Sequence, residues 1–201
     1  MLLKEIREEL IEFGNHLLEE KLVHDMQGNI SVMDTATGFI VITPSAIPYR
    51  LRKPEDICVL DTELNVIEGG KKPTSELALH TTLYRHRKDI KAIIHTHPIH
   101  TCVFAVAHEP IPQILSEVTM GFIGDVPLAP YAEPGTQKLA DIVYKTMGEN
   151  KVSCILAHHG LVTVSDNLSK SLQITLAIED AANINIMVRS MGAKVHLING
   201  A

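Results

Sequence analysis

Apolar positions along the 201-residue chain recur with two different periods. Ile6, Leu10, Phe13 and Leu17 follow 4-3-4 spacing, which predicts an amphipathic first helix ending near Val23. The Gly28-Asn29 turn then leads into a short strand. "GFIVIT" predicts a strand stopped by Pro44 and Pro48, and "DICVL" with "NVIEGG" predicts a hairpin around Asp61 to Leu64. "KPTSELALHTTLYRHR" opens on proline and small hydroxyl residues and turns helical through Leu79, Leu83 and Tyr84. "IKAIIHTH" is the next strand, followed by a helix from about Pro98 to Ala107. "DVPLAPYAEPGT" reads as a broken, proline-rich edge piece. Leu139, Val143 and Met147 mark another helix, and "VSCILAHHG" and "LVTVS" two strands. The final stretch, Leu168 to Val188, is helical in pattern but apolar nearly all round. Such a helix is buried on more than one side, and in a chain this small the second cover is expected to be another subunit.

Strands and helices interleave, yet several neighbours are joined by turns too short for parallel crossovers. A mixed sheet with helices on its faces follows. With no repeat, linker or low-complexity stretch, residues 1–201 read as one domain. Hydrophobic residues make up 45 %, a globular composition. No apolar run approaches the roughly 18–20 residues of a membrane span, and "MLLKEIREEL" has no signal-peptide core. Cys58, Cys102 and Cys154 are odd in number and far apart, which suits reduced thiols in the cytoplasm. A net charge of −6 gives no support to a nucleic-acid surface. An anionic substrate would need a local pocket of backbone donors, histidines or a metal. The count of eleven histidines is unusual.

Three of these histidines fall in "IIHTHPIH". Side chains at i and i+2 of a strand share a face, about 6.6–6.8 Å apart along the chain. His95 and His97 can therefore converge on one ion. The bland alternative is a pair of core histidines satisfied by backbone hydrogen bonds. A third ligand is available from "ILAHHGL", where His158 and His159 face opposite ways on a strand, so only one of them can join. Gly160 leaves room for close backbone approach. Three imidazoles in a reducing compartment suggest zinc over copper, iron or manganese. A metal-dependent barrel needs ~200 residues after an N-terminal H-x-H, and this chain stops well short of that. A cupin glutamate and a deaminase P-C-x-x-C are both missing.

"GNIS", "TPSAIPY" and "PTSE" each read singly as a turn or a helix cap. Glu76 in "PTSE" would suit a first helical turn through the dipole alone. Beside a metal, the three together suggest an anion pocket built on amides and hydroxyls.

In this order and spacing, Gly-Asn-x-Ser, T-P-S-x-I-P-Y, P-T-S-E, H-x-H and H-H-G resemble the class II aldolase/adducin family over nearly the whole chain. The resemblance implies a three-layer αβα fold with a mixed, largely antiparallel central sheet, and a homotetramer with sites between subunits. It implies one zinc per subunit on His95, His97 and His159, with Glu76 as acid/base able to reach the metal. It places Gly28, Asn29, Ser45, Ala46, Thr74 and Ser75 around a substrate phosphate, although Ala46 stands where the family usually has glycine. The implied reaction is reversible cleavage of a ketose 1-phosphate, of the L-fuculose 1-phosphate kind, to dihydroxyacetone phosphate and an aldehyde. An alignment through "LAPYA" puts Ser116 where a family tyrosine is expected, Glu117 next to it, and Met120 where epimerase relatives carry aspartate. Glu117 matches an acid/base glutamate of the methylthioribulose-1-phosphate dehydratase branch. Dehydration is therefore one alternative, and a non-catalytic adducin-like interaction module the other.

Overall fold

The period-2 segments pair into one eight-stranded sheet in the computed structural model, which describes residues 1–116 and 124–198. Its strands are β1 Asn29–Met33, β2 Ile40–Ile42, β3 Cys58–Leu60, β4 Val66–Glu68, β5 Ala92–Thr96, β6 Leu128–Ala129, β7 Ser153–Leu156 and β8 Gly160–Ser165. They lie in the order β4-β3-β2-β1-β5-β8-β7-β6, antiparallel throughout except for the β6–β7 pair. Five helices are found among the described residues: α1 Lys4–Glu19, α2 Leu77–His86, α3 Ile99–Ala107, α4 Gln137–Met147 and α5 Leu168–Ser190.

The strand period decides which helix covers which face. Ile93 of β5, with Val162 and Val164 of β8, packs against Leu79 and Leu83 of α2 and Val143 of α4. Their neighbours Ala92 and Ile94 join Leu10 and Leu17 of α1 on the other face. Farther along that second face, Phe104 of α3 and Ile178 of α5 close over Ile155 and Leu161. The result is the three-layer αβα arrangement expected from the sequence. None of the described helices is long and apolar enough to cross a membrane.

Two boundaries differ from the sequence pattern. Helix α1 ends at Glu19, although apolar positions run on to Val23. Lys21 takes a left-handed φ of 58°, and the amides of Lys21 and Leu22 bond back to the carbonyls of Leu18 and Leu17. This Schellman cap turns the chain while keeping Leu22 and Val23 buried. Strand β7 stops at Leu156 rather than running through Gly160. A turn over residues 157–159 joins it to β8, with His158 at φ 56° and Leu156 paired to Gly160.

Candidate metal centre and active site

His95 points to the same side of β5 as Ile93, toward the start of α2, because the two are separated by one strand period. It is fully buried, and its Nδ1–H donates to the Leu161 carbonyl on β8 at 2.9 Å. The ring proton is thereby committed, and Nε2 is left with a lone pair facing the site. His97 lies one residue past the strand, its amide anchored to the Leu22 carbonyl at 3.0 Å. Its Nε2 stands 3.0 Å from that of His95. His159 comes from the β7–β8 turn, not from a strand, and brings its Nε2 to 3.3 Å from that of His95. The left-handed residue before it sends His158 away, to the Nε2 of His108 at 2.7 Å. Gly160 is required by what surrounds it. A Cβ there would collide with the Thr96 carbonyl oxygen and stand 2.6 Å from Cδ2 of His97.

Glu76 immediately precedes α2 and completes the cluster. Its Oε2 is 2.9 Å from Nε2 of His95, and its Oε1 is 3.4 Å from Nε2 of His159. Asn29 donates to Oε2 at 3.0 Å. Burial alone would raise the Glu76 carboxyl, but His95, His159 and the Asn29 amide hold it well below the usual carboxylate range. Burial also opposes charge on His95, yet the adjacent carboxylate raises its pKa. Burial and the neighbouring imidazoles push His97 down to about 3 and His159 to about 4, so both are neutral near pH 7.

This donor set fits a metal ion. Two imidazole nitrogens on one tetrahedral zinc lie about 3.3 Å apart. The three Nε2 atoms are the ligand group found among the described residues, all within 4.8 Å of one another. With the Nδ1 proton donated to Leu161, His95 Nε2 and a Glu76 oxygen stand 2.9 Å apart, and two bare acceptors at that distance call for a shared proton or a cation. Glu76 Oε1 and His159 Nδ1 are buried without a hydrogen-bond partner among the described residues.

A pocket of about 270 Å³ opens beside the cluster. Glu76, His97 and His159 line it, as do all six expected phosphate residues: Gly28, Asn29, Ser45, Ala46, Thr74 and Ser75. Two loops are tied together there. Ser45 Oγ donates to the Pro73 carbonyl at 2.7 Å, and the Thr74 amide to the Thr43 carbonyl at 3.1 Å. Gly28 has φ 73°, and a Cβ would sit 2.6 Å from the His95 carbonyl oxygen, so the turn presses directly on the metal strand. Ala46 holds the left-handed conformation, φ 58°, that the family glycine would adopt freely. The loop therefore keeps its course despite the substitution.

The family model described as Class II Aldolase and Adducin N-terminal domain matches residues 8–186. The chain belongs to the class II aldolase and adducin family. A 5-deoxy-D-ribulose 1-phosphate aldolase of Bacillus thuringiensis serovar kurstaki is 35 % identical over 193 residues, covering 96 % of this chain and 89 % of that one. An L-fuculose phosphate aldolase of Haemophilus influenzae is 32 % identical, covering 97 % and 88 %. A solved L-fuculose 1-phosphate aldolase superposes with a TM-score of 0.93 at 34 % identity, covering 100 % of this chain and 93 % of that one. The class II aldolase family is metal-dependent, and His95, His97 and His159 can hold the ion.

Within this class II aldolase-family chain, the sequence motifs account for the pocket except at three places. Met26, Gln27 and Pro134 also line it, brought in by the turns before Gly28 and Gly135. No motif pointed to them beyond those neighbouring glycines. Glu117 and Met120 lie outside the described residues. Tyr131 is exposed, donates to Glu133 at 3.2 Å and stands edge-on to His158, on the outer histidine pair and not among the pocket-lining residues.

Proposed function

We propose that this protein reversibly cleaves a ketose 1-phosphate to dihydroxyacetone phosphate and an aldehyde, with zinc on His95, His97 and His159. The observation that carries this reading is the convergence of three imidazole Nε2 atoms and one carboxylate beside a pocket lined by turn amides and hydroxyls. Relatives named for 5-deoxy-D-ribulose 1-phosphate and L-fuculose phosphate support the substrate class. When bound, the divalent ion polarises the ketone and its neighbouring hydroxyl, which is worth several kcal/mol of charge stabilisation. The loops at Gly28–Asn29, Ser45–Ala46 and Thr74–Ser75 hold the phosphate and fix the register of the sugar. A base takes the proton of the C4 hydroxyl and the C3–C4 bond breaks. The electron pair stays on the dihydroxyacetone phosphate carbon until Glu76, having taken a proton from solvent, delivers it there, and the base releases the C4 hydroxyl proton to solvent. In synthesis Glu76 removes that proton, and the carbon attacks the aldehyde. We assign the C4 hydroxyl proton to Glu117, on its sequence position alone.

Product analysis tests the reading. Incubation of the metal-loaded protein with L-fuculose 1-phosphate and 5-deoxyribulose 1-phosphate should release dihydroxyacetone phosphate from at least one. A diketo phosphate retaining every carbon would instead establish dehydration, and no turnover of either would leave the adducin-like module. Glu117→Ala should slow the reaction under the cleavage reading and under dehydration.

We also propose a homotetramer with its sites between subunits, in the cytoplasm. Ile99, Val103 and Val106 of α3 and Ile184 and Met187 of α5 are each 39–64 % exposed on the single chain. Those spacings form stripes on the two helices, which support cover by other copies of the chain. Light scattering should give a mass near four chains at micromolar concentration, and a stable monomer would reject the assembly.

A further inference from the structure

A chain of buried polar groups runs away from Glu76 into the layer between sheet and α2. Asn29 Nδ2 is 3.0 Å from Glu76 Oε2, and Asn29 Oδ1 is 2.5 Å from His80 Nε2. His80 Nδ1 is 2.6 Å from Ser31 Oγ, which is 2.8 Å from Tyr84 OH. His80 and Ser31 are fully buried, and Tyr84 and Asn29 nearly so.

The direction of every bond in this chain follows from its carboxylate end. An ionised carboxylate only accepts, so the Asn29 atom beside Glu76 is the NH₂ group. The opposite atom of that amide is then oxygen, which also only accepts. His80 Nε2 must therefore carry the proton. Burial pushes His80 down to about 3, so the ring is neutral and Nδ1 is left as an acceptor. Ser31 must donate to Nδ1, and its oxygen is free to take the Tyr84 proton. Four side chains, Tyr84, Ser31, His80 and Asn29, thus align their donors toward Glu76. Reversal of any one turns an acceptor toward an acceptor in a space without bulk water, which is destabilising.

We infer that His80 is a positioning residue: its Nε2–H locks the Asn29 amide so that the NH₂ group, not the oxygen, faces Glu76. Neither the motifs nor the pocket lining includes His80. The inference rests on the proposed role of Glu76, and it deepens that role by naming what holds the carboxylate in place.

Two measurements test it. Nitrogen-15 histidine correlation spectra of the metal-free wild-type protein should show His80 as the neutral Nε2–H tautomer. An Nδ1–H tautomer or an imidazolium would overturn the inference without any variant. The second is a pair of substitutions. His80→Gln places an N–H near the Nε2 position, while His80→Asn reaches only the Nδ1 side. Turnover should fall about 10- to 100-fold in His80→Asn and recover to within about threefold of wild type in His80→Gln, at similar melting temperatures of the two. Equal losses in both would reduce His80 to a packing residue. Failure of the functional reading is a separate result: wild-type protein inactive on every ketose 1-phosphate, with the tautomer spectrum still deciding the chain.

Discussion

Two histidine clusters flank one turn, and only one has the makings of a metal site. On the inner side His159 joins His95 and His97 against Glu76. On the outer side His158 meets His108 with ring centroids 4.6 Å apart and Tyr131 beside them. The outer pair is exposed, and one neutral imidazole can donate to the other across 2.7 Å. It satisfies itself. The inner trio leaves more unsatisfied: the His95 Nδ1 proton is spent on Leu161, its other nitrogen faces a carboxylate, and Glu76 Oε1 and His159 Nδ1 have no hydrogen-bond partner among the described residues. Clustering of imidazoles is therefore a weak sign of a site. Clustering with the protons already committed elsewhere, out of water and beside a buried carboxylate, is a strong one.

The largest contrast should come from removing one histidine on each side. His95→Ala should strip the bound metal and lower turnover by about 1,000-fold or more. His158→Ala, measured by metal content and the same assay, should stay within about twofold of wild type. Equal losses would erase the distinction. A smaller effect is expected at the carboxylate. Glu76→Gln keeps the shape and the hydrogen bond count but not the base, so turnover should drop by at least ~100-fold while bound phosphate is retained. Near-normal turnover would return Glu76 to a helix-start carboxylate. The smallest effect concerns the pocket loop. Ala46 sits at φ 58°, which costs a non-glycine residue about 1–2 kcal/mol, and glycine gives back about 0.4–1 kcal/mol through its freer unfolded chain. Ala46→Gly should therefore raise stability by about 0.5–1 kcal/mol in denaturant titrations. A loss would mean that the Ala46 methyl makes contacts which outweigh the strain.

The legibility of the two clusters in the sequence differs for physical reasons. His95 and His97 could be paired from spacing alone, since a strand has a strict period of two. His158 and His159 could not be separated that way, and the resemblance to the family chose between them. The strand reading placed them on opposite faces, and they do point apart, but through a left-handed turn that periodicity does not reveal. The sheet, its helices and the edge position of "PLA" were readable because each apolar run is bounded by glycine, proline or a change of period. The Schellman end of α1 was hidden, because Leu22 and Val23 continue the apolar spacing while leaving the helix. His80 was hidden for another reason. In "LALHTTLYRHR" a buried, neutral histidine and a solvated one look alike, and only the carboxylate end of its hydrogen-bond chain gives it meaning.

The chemistry assigned to Glu76 requires that one ion bind the inner trio. X-ray absorption at the zinc edge of the protein loaded with one equivalent of zinc tests it directly. The spectrum should show three imidazole nitrogens and oxygen at about 2.0–2.1 Å, unchanged in His158→Ala and lost in His95→Ala. Two imidazoles only, with the signal lost in His158→Ala and kept in His95→Ala, would put the ion on the outer pair and contradict the account.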